Sequence, residues 1–254
     1  MTHRAWQLIV EPGGRSGAEN MAVDHSLLRA AQEGAAFLRL YGWAPPCLSF
    51  GRNEPATTRY DRSEIERLGL AAVRRPTGGR AVWHEAEVTY AVAGPADLFG
   101  SLKEAYIRIH AVLAAALRSM GVAADLAQRP GGRAAGPGAG ACFAAPVGGE
   151  VVVAGRKLVG SAQVREGGAF LQHGSILLED AQDVVARVTR GPAPSTAATS
   201  LAAALGREAR FAEVADAIVR EARSALGGTW TSGRIEPAAP DVARFADPEW
   251  IWRR

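Results

Sequence analysis

The segment VRRPTGGRAVWHE places three arginines around a Pro-Thr-Gly-Gly turn. Glycine adopts positive φ angles at little cost, so consecutive glycines let backbone amides converge on an anion. Arginine adds a charge that does not titrate away near neutral pH. The turn can therefore hold a phosphate or a carboxylate, although a tight surface turn with solvated arginines explains the same pattern. The candidate anion-binding residues are Arg74, Arg75, Thr77, Gly78, Gly79 and Arg80.

An aromatic side chain, an imidazole and a carboxylate follow this turn directly, as Trp83, His84 and Glu85. Their proximity favours a functional site over a plain turn. Histidine titrates near neutral pH and often moves protons in catalysis. For His84 taken alone, a structural hydrogen bond to a backbone carbonyl is the more common role. Both interpretations of His84 stay open at this point.

The two cysteines stand in different sequence contexts. Cys142 follows the glycine-rich and proline-rich segment QRPGGRAAGPGAGA, where a substrate is expected to reach it, and a thiolate is a strong nucleophile. The alternative for Cys142 is a small apolar side chain that packs beside Phe143. Cys47 lies in the apolar run CLSFG and fits that structural role better. A disulfide between them is not expected in a large intracellular chain.

Two further polar residues occur in the segments GRKLVGSAQ and LQHGSI. Lys157 precedes a β-prone run, where its ammonium group can steady an oxyanion or a carbonyl oxygen. An exposed hairpin lysine is the plainer interpretation. His173, before Gly174, is most simply a strand-end residue that fills a hydrogen-bond site.

Several classes of site are absent from the sequence. The five histidines and two cysteines form no H-x-x-x-H or C-x-x-C set, so no metal site is predicted. The chain also lacks the phosphate-binding motifs G-x-x-x-x-G-K-[ST] and strand-bound G-x-G-x-x-G. A net charge of +3, from 29 basic and 26 acidic residues, is too small to indicate a nucleic-acid partner.

The size and hydropathy of the chain are those of a globular protein. Its 254 residues, 48% of them hydrophobic, suffice for one large domain with a buried core. No segment has the length of a membrane span, and the first residues lack the long apolar stretch of a signal peptide. We therefore expect a cytoplasmic protein without a membrane partner.

Three segments show the spacing of amphipathic helices. The second is the best defined, because Ser101 and Glu104 form a capping-box pattern at its start. Each segment is followed by a glycine that can end a helix. The predicted helices cover residues 20–31, 102–120 and 211–222.

Short β-prone runs occupy much of the remaining chain: AFLRLYGW, CLSFGR, LAAVRR, AVWHE and VTYAVAG, and then EVVVAGRKLVGSAQVREGGAFLQHGSILLE. The last segment holds three runs separated by glycine-containing turns at 154–155 and 167–168, which is typical of an antiparallel meander. Residues 128–141 are too rich in glycine and proline for a regular element, so we predict a long mobile loop. Strands flanked by helices predict an α/β domain.

Four motifs occur along the chain in the order RRPTGGRAVWHE, VTYAV, GRKLVGSAQ and LQHGSILL. In these motifs the chain resembles the superfamily of lipoate ligases, octanoyltransferases and biotin ligases. The resemblance runs from about Gly17 to Leu178 and is strongest to the cysteine-dependent octanoyltransferases of lipoate assembly. It implies an α/β (α+β) fold, with a mixed, largely antiparallel sheet flanked by helices and an acyl-chain tunnel. It also implies a single catalytic domain over residues 1–254, with a helical C-terminal extension from about residue 200.

The same resemblance implies roles for individual residues. Cys142 corresponds to the acyl-carrying nucleophile, Lys157 lies near the acyl carbonyl, and the turn 74–80 borders the acyl pocket. An octanoyl or lipoyl group would pass from acyl carrier protein to a lysine of a lipoyl domain, in a glycine-cleavage H protein or a dehydrogenase E2 subunit. The implied substrate-binding residues are Arg74, Arg75, Thr77, Gly78, Gly79, Arg80, His84, Gly160, Ser161, Ala162 and His173.

Two differences from the ATP-using lipoate ligases favour transfer without a cofactor. Arg80 stands where those ligases usually have a third glycine, and HEAEVTY stands where they have an asparagine-bearing motif. One alternative is a lipoate-protein ligase that requires ATP and Mg and holds the adenylate phosphate at the turn. The other is a non-catalytic module that binds lipoyl groups.

Overall fold

The computed structural model describes residues 4–128, 148–191 and 198–253. Within these ranges the strands are β1 Ala5–Arg15, β2 Ala36–Trp43, β3 Cys47–Phe50, β4 Ala71–Arg74, β5 Val82–His84, β6 Glu87–Pro95, β7 Ala124–Leu126, β8 Val151–Val153, β9 Arg156–Lys157, β10 Val159–Glu166, β11 Ala169–Leu177 and β12 Thr229–Ser232. The helices are α1 Gly17–Gln32, α2 Ala56–Arg59, α3 Arg62–Arg67, α4 Leu102–Ser119, α5 Asp183–Val188, α6 Leu201–Leu205, α7 Phe211–Leu226, α8 Ala239–Ala246 and α9 Pro248–Ile251.

A six-stranded central sheet has the order β10-β11-β6-β2-β1-β12. The pairs β10 with β11, β11 with β6, and β6 with β2 are antiparallel. The pairs β2 with β1 and β1 with β12 are parallel. The predicted α/β fold with a mixed, largely antiparallel sheet is therefore confirmed. The residues beyond 200 add the edge strand β12 to this sheet as well as helices.

Helices cover both faces of the central sheet, as β2 illustrates. Leu38 and Leu40 pack in the hydrophobic layer that contains α4 and α7. Phe37 and Tyr41 pack in the layer that contains α1. Successive side chains of a strand point to opposite faces, so the alternation of β2 builds both layers of core at once.

Capping boxes begin the two long helices of the first half of the chain. Glu104 N donates to Ser101 Oγ at 3.2 Å, and Ser101 N donates to the Glu104 carboxylate at 2.7 Å. The second predicted helix is thereby confirmed, and the third corresponds to α7. The first helix starts at Gly17, three residues earlier than predicted, because Ser16 and Glu19 form another capping box. In the described part of the chain, no helix combines the length and apolar character needed to span a membrane.

The β-prone segment after α4 is divided between two sheets and does not form the single meander predicted. β10 and β11 pair in the central sheet, whereas β8 and β9 pair beside β7 in a small one. Leu158 connects the two sheets, since its N–H donates to Val151 O while its carbonyl accepts from Leu177 N. The two predicted turns are present, and their residues have positive φ. Residues 129–141 of the predicted loop lie outside the described residues.

A second small sheet, β4-β3-β5, carries the arginine-rich motif. β3 pairs in parallel with β4 and antiparallel with β5. The Pro-Thr-Gly-Gly turn connects β4 to β5. Arg75 and His84 are therefore separated in sequence by this turn, but both lie next to β3. In this register Cys47 pairs with His84, and Ser49 pairs with Val82.

Replacing Leu113 by alanine is expected to lower the free energy of unfolding by about 2–5 kcal/mol, because it leaves a cavity in the core. Leu113 is 2% exposed and lies on the face of α4 that packs on the central sheet. Ile107→Ala is the matched control on the same helix, since Ile107 is 42% exposed, and it should cost no more than about 0.5 kcal/mol. Urea unfolding followed by circular dichroism measures both, and equal losses would contradict this assignment of the α4 faces.

Candidate functional site

A narrow cleft with a cavity volume of about 30 Å³ lies between the central sheet and the small sheet β4-β3-β5. Strands β2, β6, β10 and β11 form one side, and β3 and β5 form the other. The predicted site residues that line it are Arg75, His84, Gly160, Ser161, Ala162 and His173. The other lining residues are Met21, Tyr41, Trp43, Ser49, Val82, Thr89, Gly174 and Ser175. The fold thus brings the four motifs of the sequence to one place.

The Arg75 guanidinium closes the Pro-Thr-Gly-Gly turn onto itself. It donates to Gly78 O at 3.0 Å, to Arg80 O at 2.7 Å and to Ser49 Oγ at 2.9 Å. Gly79 has a φ of +95°, and a side chain there would meet the guanidinium at 2.8 Å. The glycine is therefore needed both for its backbone conformation and for space.

Arg74 lies outside the cleft and is fully buried. Its guanidinium donates to the backbone carbonyl groups of Gly51 and Glu54 in the segment after β3, and to Trp250, Ile251 and Arg253 near the end of the chain. Burial, together with the nearby charge of Arg253, lowers the pKa of Arg74 to about 10. Arg74 thus fastens the C-terminal segment to the small sheet, and its predicted contact with a substrate stays a prediction.

His84 is held between a hydroxyl group and a carboxylate. Its Nε2 is 2.7 Å from Ser49 Oγ, and its Nδ1 is 2.8 Å from Glu87 Oε1. The Trp43 ring stacks on the imidazole, with centroids 4.0 Å apart and planes at 12°. Ser175 Oγ lies 3.2 Å from His84 Nδ1 as well, so all three partners are side chains and not the backbone carbonyl expected of a structural histidine. The ring is therefore fixed in position and in orientation.

His173 has a similar arrangement on β11. Its Nε2 is 2.7 Å from Thr77 Oγ1, and its Nδ1 is 2.7 Å from Asp24 Oδ2. The other oxygen of Asp24 accepts from Arg39 at 2.9 Å. Burial alone would raise the pKa of Asp24, but hydrogen bonding to His173 and the charge of Arg39 outweigh it and lower that pKa. Burial also lowers the pKa of His173, although Asp24 opposes this shift. His173 therefore lies inside a strand and joins it to the turn, rather than ending a strand as predicted.

A third histidine, His110 of α4, contacts the cleft through Ser161. Burial lowers its pKa to about 4, so the ring is neutral near pH 7. Its Nδ1 donates to Gly149 O at 2.7 Å, because a carbonyl can only accept. Its Nε2 therefore accepts from Ser161 Oγ at 2.8 Å, and Tyr90 lies 2.7 Å from the same hydroxyl. Sequence reasoning gave no signal for this group, since His110 occurs in an otherwise ordinary helix.

Lys157 is buried, so the exposed hairpin position considered for it is wrong. Its side chain is 2% exposed, and its Nζ donates to Glu150 Oε1 at 2.7 Å. Glu150 is itself buried, directly after Gly149. This ion pair therefore lies beside the His110 and Ser161 end of the cleft. Cys142 belongs to residues 129–147 and lies outside the described residues.

Cys47 has the structural role predicted for it. It is 1% exposed, and burial raises the pKa of its thiol to about 12. The thiol packs among apolar side chains of the α1 layer. At neutral pH it supplies no thiolate.

The polar side chains that line the cleft are paired with one another or with their neighbours. Ser49 and Ser161 bond to histidines, and Thr89 and Ser175 donate to Glu87 Oε1. Paired groups lose no hydrogen bonds when an apolar chain occupies the space beside them. Apolar contact surface comes from Met21, Trp43 and Val82. The cleft is thus suited to a hydrocarbon chain.

Acidic partners of the site histidines were missed at the level of sequence. Glu87 follows His84 by three residues in HEAEVTY, and Asp24 lies in α1, far from His173 in sequence. The short spacing of His84 and Glu87 was a usable signal, whereas the pairing of Asp24 with His173 depends on the tertiary fold. Among the residues that the structure describes, no group of three or more His, Cys, Asp or Glu side chains could hold a metal ion.

Comparison with known proteins agrees with this architecture. A family model described as the lipoyl protein ligase A/B catalytic domain matches residues 16–223. Octanoyltransferase LipM of Moorella thermoacetica is 36% identical over 100% of both chains, and that of Carboxydothermus hydrogenoformans is 43% identical over 69% of this chain and 66% of its own. The same fold occurs in a solved structure from Thermoplasma acidophilum, that of a bi-partite lipoate protein ligase and its E2 lipoyl domain. One chain of that structure matches with a TM-score of 0.75 at 21% identity, over 99% of this chain and 96% of that chain. The chain belongs to the lipoyl protein ligase A/B catalytic domain family.

Proposed function

We propose that this protein transfers an octanoyl group from acyl carrier protein, through a thioester on Cys142, to a lysine of a lipoyl-domain protein in lipoate biosynthesis. Octanoyl transfer is the activity in the name of relatives that match the chain from end to end, and the protein is accordingly an acyltransferase. The observation that carries the proposal is the cleft, whose paired polar atoms and apolar surface suit an octanoyl chain. A glycine-cleavage H protein and a dehydrogenase E2 subunit are the two acceptors we propose.

Cys142 is the proposed nucleophile because the chain has one other cysteine, and that one is unsuited. Cys47 is buried with a pKa of about 12, so it cannot supply a thiolate near neutral pH. Cys142 precedes Gly148 by six residues, a span of at most about 20 Å. The next residue, Gly149, is fixed by His110 at the Ser161 end of the cleft. The short spacing in sequence between Cys142 and this end of the cleft supports the proposal.

Lys157 is the proposed oxyanion-stabilising residue. Its ammonium group is buried beside the same end of the cleft, and Glu150 orients it at 2.7 Å. A charge in a buried site stabilises a developing oxyanion more than it would in water. Lys157 would thus lower the barrier to both tetrahedral intermediates of the transfer.

The reaction has two steps. The Cys142 thiolate attacks the thioester carbonyl of octanoyl-acyl carrier protein, and the carrier thiol leaves. The amine of the acceptor lysine then attacks the Cys142 thioester, loses its proton to a base, and expels Cys142. His84 and His173 are the candidate bases. Because conversion of a thioester to an amide is downhill, neither ATP nor Mg is required.

Without ATP, incubation with octanoyl-acyl carrier protein should add one octanoyl group to Cys142. Intact-mass and peptide-mass spectrometry measure the adduct, and a lipoyl-domain acceptor should then remove it. Cys142→Ser should give no thioester and no transfer. Cys47→Ala is the matched control and should still form the adduct, since Cys47 only packs in the core.

Other outcomes of this experiment identify the alternatives. Product that requires ATP and is unaffected by Cys142→Ser would show a lipoate-protein ligase. No product under either condition, together with binding of the lipoyl domain, would show a non-catalytic module. Either result would contradict the proposed transfer.

Lys157→Met should lower kcat of octanoyl transfer by about 10²–10³, because one charge-stabilising donor is lost. Lys103→Met is the matched control: Lys103 is the other lysine of the chain and lies exposed in the first turn of α4. Because Lys157→Met leaves Glu150 buried without its lysine, the Lys157→Met, Glu150→Gln double variant should be measured as well. A folded double variant with a wild-type kcat would refute the role of Lys157.

A further inference from the structure

Three hydroxyl and histidine pairs border the cleft. The distance from hydroxyl oxygen to Nε2 is 2.7 Å for Ser49 with His84, 2.7 Å for Thr77 with His173, and 2.8 Å for Ser161 with His110. Such a contact lets an imidazole take the proton of a hydroxyl that acts as a nucleophile. The pairs differ in the group that is hydrogen-bonded to the other ring nitrogen, Nδ1.

Glu87 fixes the tautomer of His84. Its Oε1 is 2.8 Å from His84 Nδ1 and also accepts from the hydroxyl groups of Thr89 and Ser175, so this oxygen is an acceptor and Nδ1 carries the hydrogen. Nε2 then presents its lone pair to Ser49 Oγ. This is the order of groups in a serine-histidine-acid triad, with a nucleophile, a base and an orienting carboxylate.

The charge of Glu87 is available to His84. In the described part of the chain, His84 is the ion-pair partner of Glu87, and Glu87 Oε2 is buried without a hydrogen bond. An imidazolium formed at His84 would therefore lie against a carboxylate that pairs with no guanidinium among the residues that the structure describes. Such an arrangement stabilises the protonated base during acyl transfer.

Ser49 is also prepared as a nucleophile. Arg75 Nη1 donates to its Oγ at 2.9 Å, which stabilises negative charge on that oxygen. Ser49 and His84 both line the cleft, so an acyl group inside it contacts them. The stacked Trp43 ring prevents the imidazole from turning away.

The other two pairs lack this combination. Arg39 already pairs with the carboxylate behind His173, and Thr77 does not line the cleft. His110 has a carbonyl group behind it, and its pKa of about 4 makes it a poor proton acceptor. Ser49 is therefore the hydroxyl best suited to attack an acyl group.

We propose that Ser49, His84 and Glu87 form a second acyl-acceptor site, which hydrolyses medium-chain acyl thioesters and esters without Cys142. Ser49 Oγ attacks the acyl carbonyl as its proton passes to His84 Nε2, and the carbon–sulfur bond breaks. The departing thiolate takes that proton. Water then loses a proton to His84 and attacks the Ser49 ester, the bond between the acyl carbon and Ser49 Oγ breaks, and His84 returns the proton to Oγ, which releases the carboxylic acid and restores the serine hydroxyl.

This inference rests on the acyl-binding cleft of the proposed function but not on its nucleophile. The Cys142→Ala variant separates the two, because it removes the thioester site and leaves Ser49 in place. Loss of octanoyl transfer in this variant therefore tests the role of Cys142, whereas an acyl adduct on Ser49 tests the second site.

The test uses Cys142→Ala protein and p-nitrophenyl octanoate. We expect release of p-nitrophenol and an octanoyl ester on Ser49 in the peptide mass spectrum of acid-quenched protein. Adding Ser49→Ala should remove the ester and slow the release by about a hundredfold. Ser119→Ala is the matched control, since Ser119 lies at the end of α4, where its hydroxyl bonds to Ala116 O.

A second measurement needs no substitution. An octyl fluorophosphonate should label Ser49 of the wild-type protein, because such reagents modify serine hydroxyls activated by a histidine. Hydrolysis unchanged by Ser49→Ala, or a labelled peptide that does not contain Ser49, would overturn the proposal. Absence of any label from folded wild-type protein would overturn it as well.

Discussion

A cleft can accept a hydrocarbon chain readily only if the polar side chains that line it are already paired, because an unpaired buried group costs about 1–3 kcal/mol. This requirement explains much of the structure. His84 and His173 each connect a hydroxyl to a carboxylate, and His110 connects Ser161 to a backbone carbonyl. Each imidazole uses both ring nitrogens. The cleft is thus lined with polar residues and still presents satisfied atoms to its contents.

The pairing also determines which elements must meet. His84 comes from β5, His110 from α4 and His173 from β11, and their partners lie on other elements. Arg75 adds a similar constraint, because its guanidinium joins β3 to the turn it belongs to. Neighbouring arginines of the motif therefore have different roles: Arg74 binds the C-terminal segment to the small sheet, and Arg75 lines the cleft.

Local signals were sufficient for the three long helices and for the strands from β2 to β6, but not for β1, for the short helices or for most contacts between elements. Ser101 and Glu104 mark the start of α4, whereas the similar box of Ser16 and Glu19 starts α1 at Gly17, three residues before the predicted helix 20–31. The division of residues 150–179 between two sheets depends on which strand each backbone group of Leu158 meets, Val151 of β8 or Leu177 of β11, and no local pattern encodes that choice. The motifs and the family resemblance identified six of the residues that line the cleft, whereas its other lining residues, the burial of Lys157 and the partners of the histidines follow from long-range packing.

The central claim is that the space between the central sheet and the small sheet receives the acyl chain. A crystal structure of the protein after reaction with octanoyl-acyl carrier protein tests it most directly. We expect density for the hydrocarbon tail in the cleft, in contact with Met21, Trp43 and Val82. A tail bound elsewhere on the molecule, with the cleft filled by ordered water, would contradict the claim.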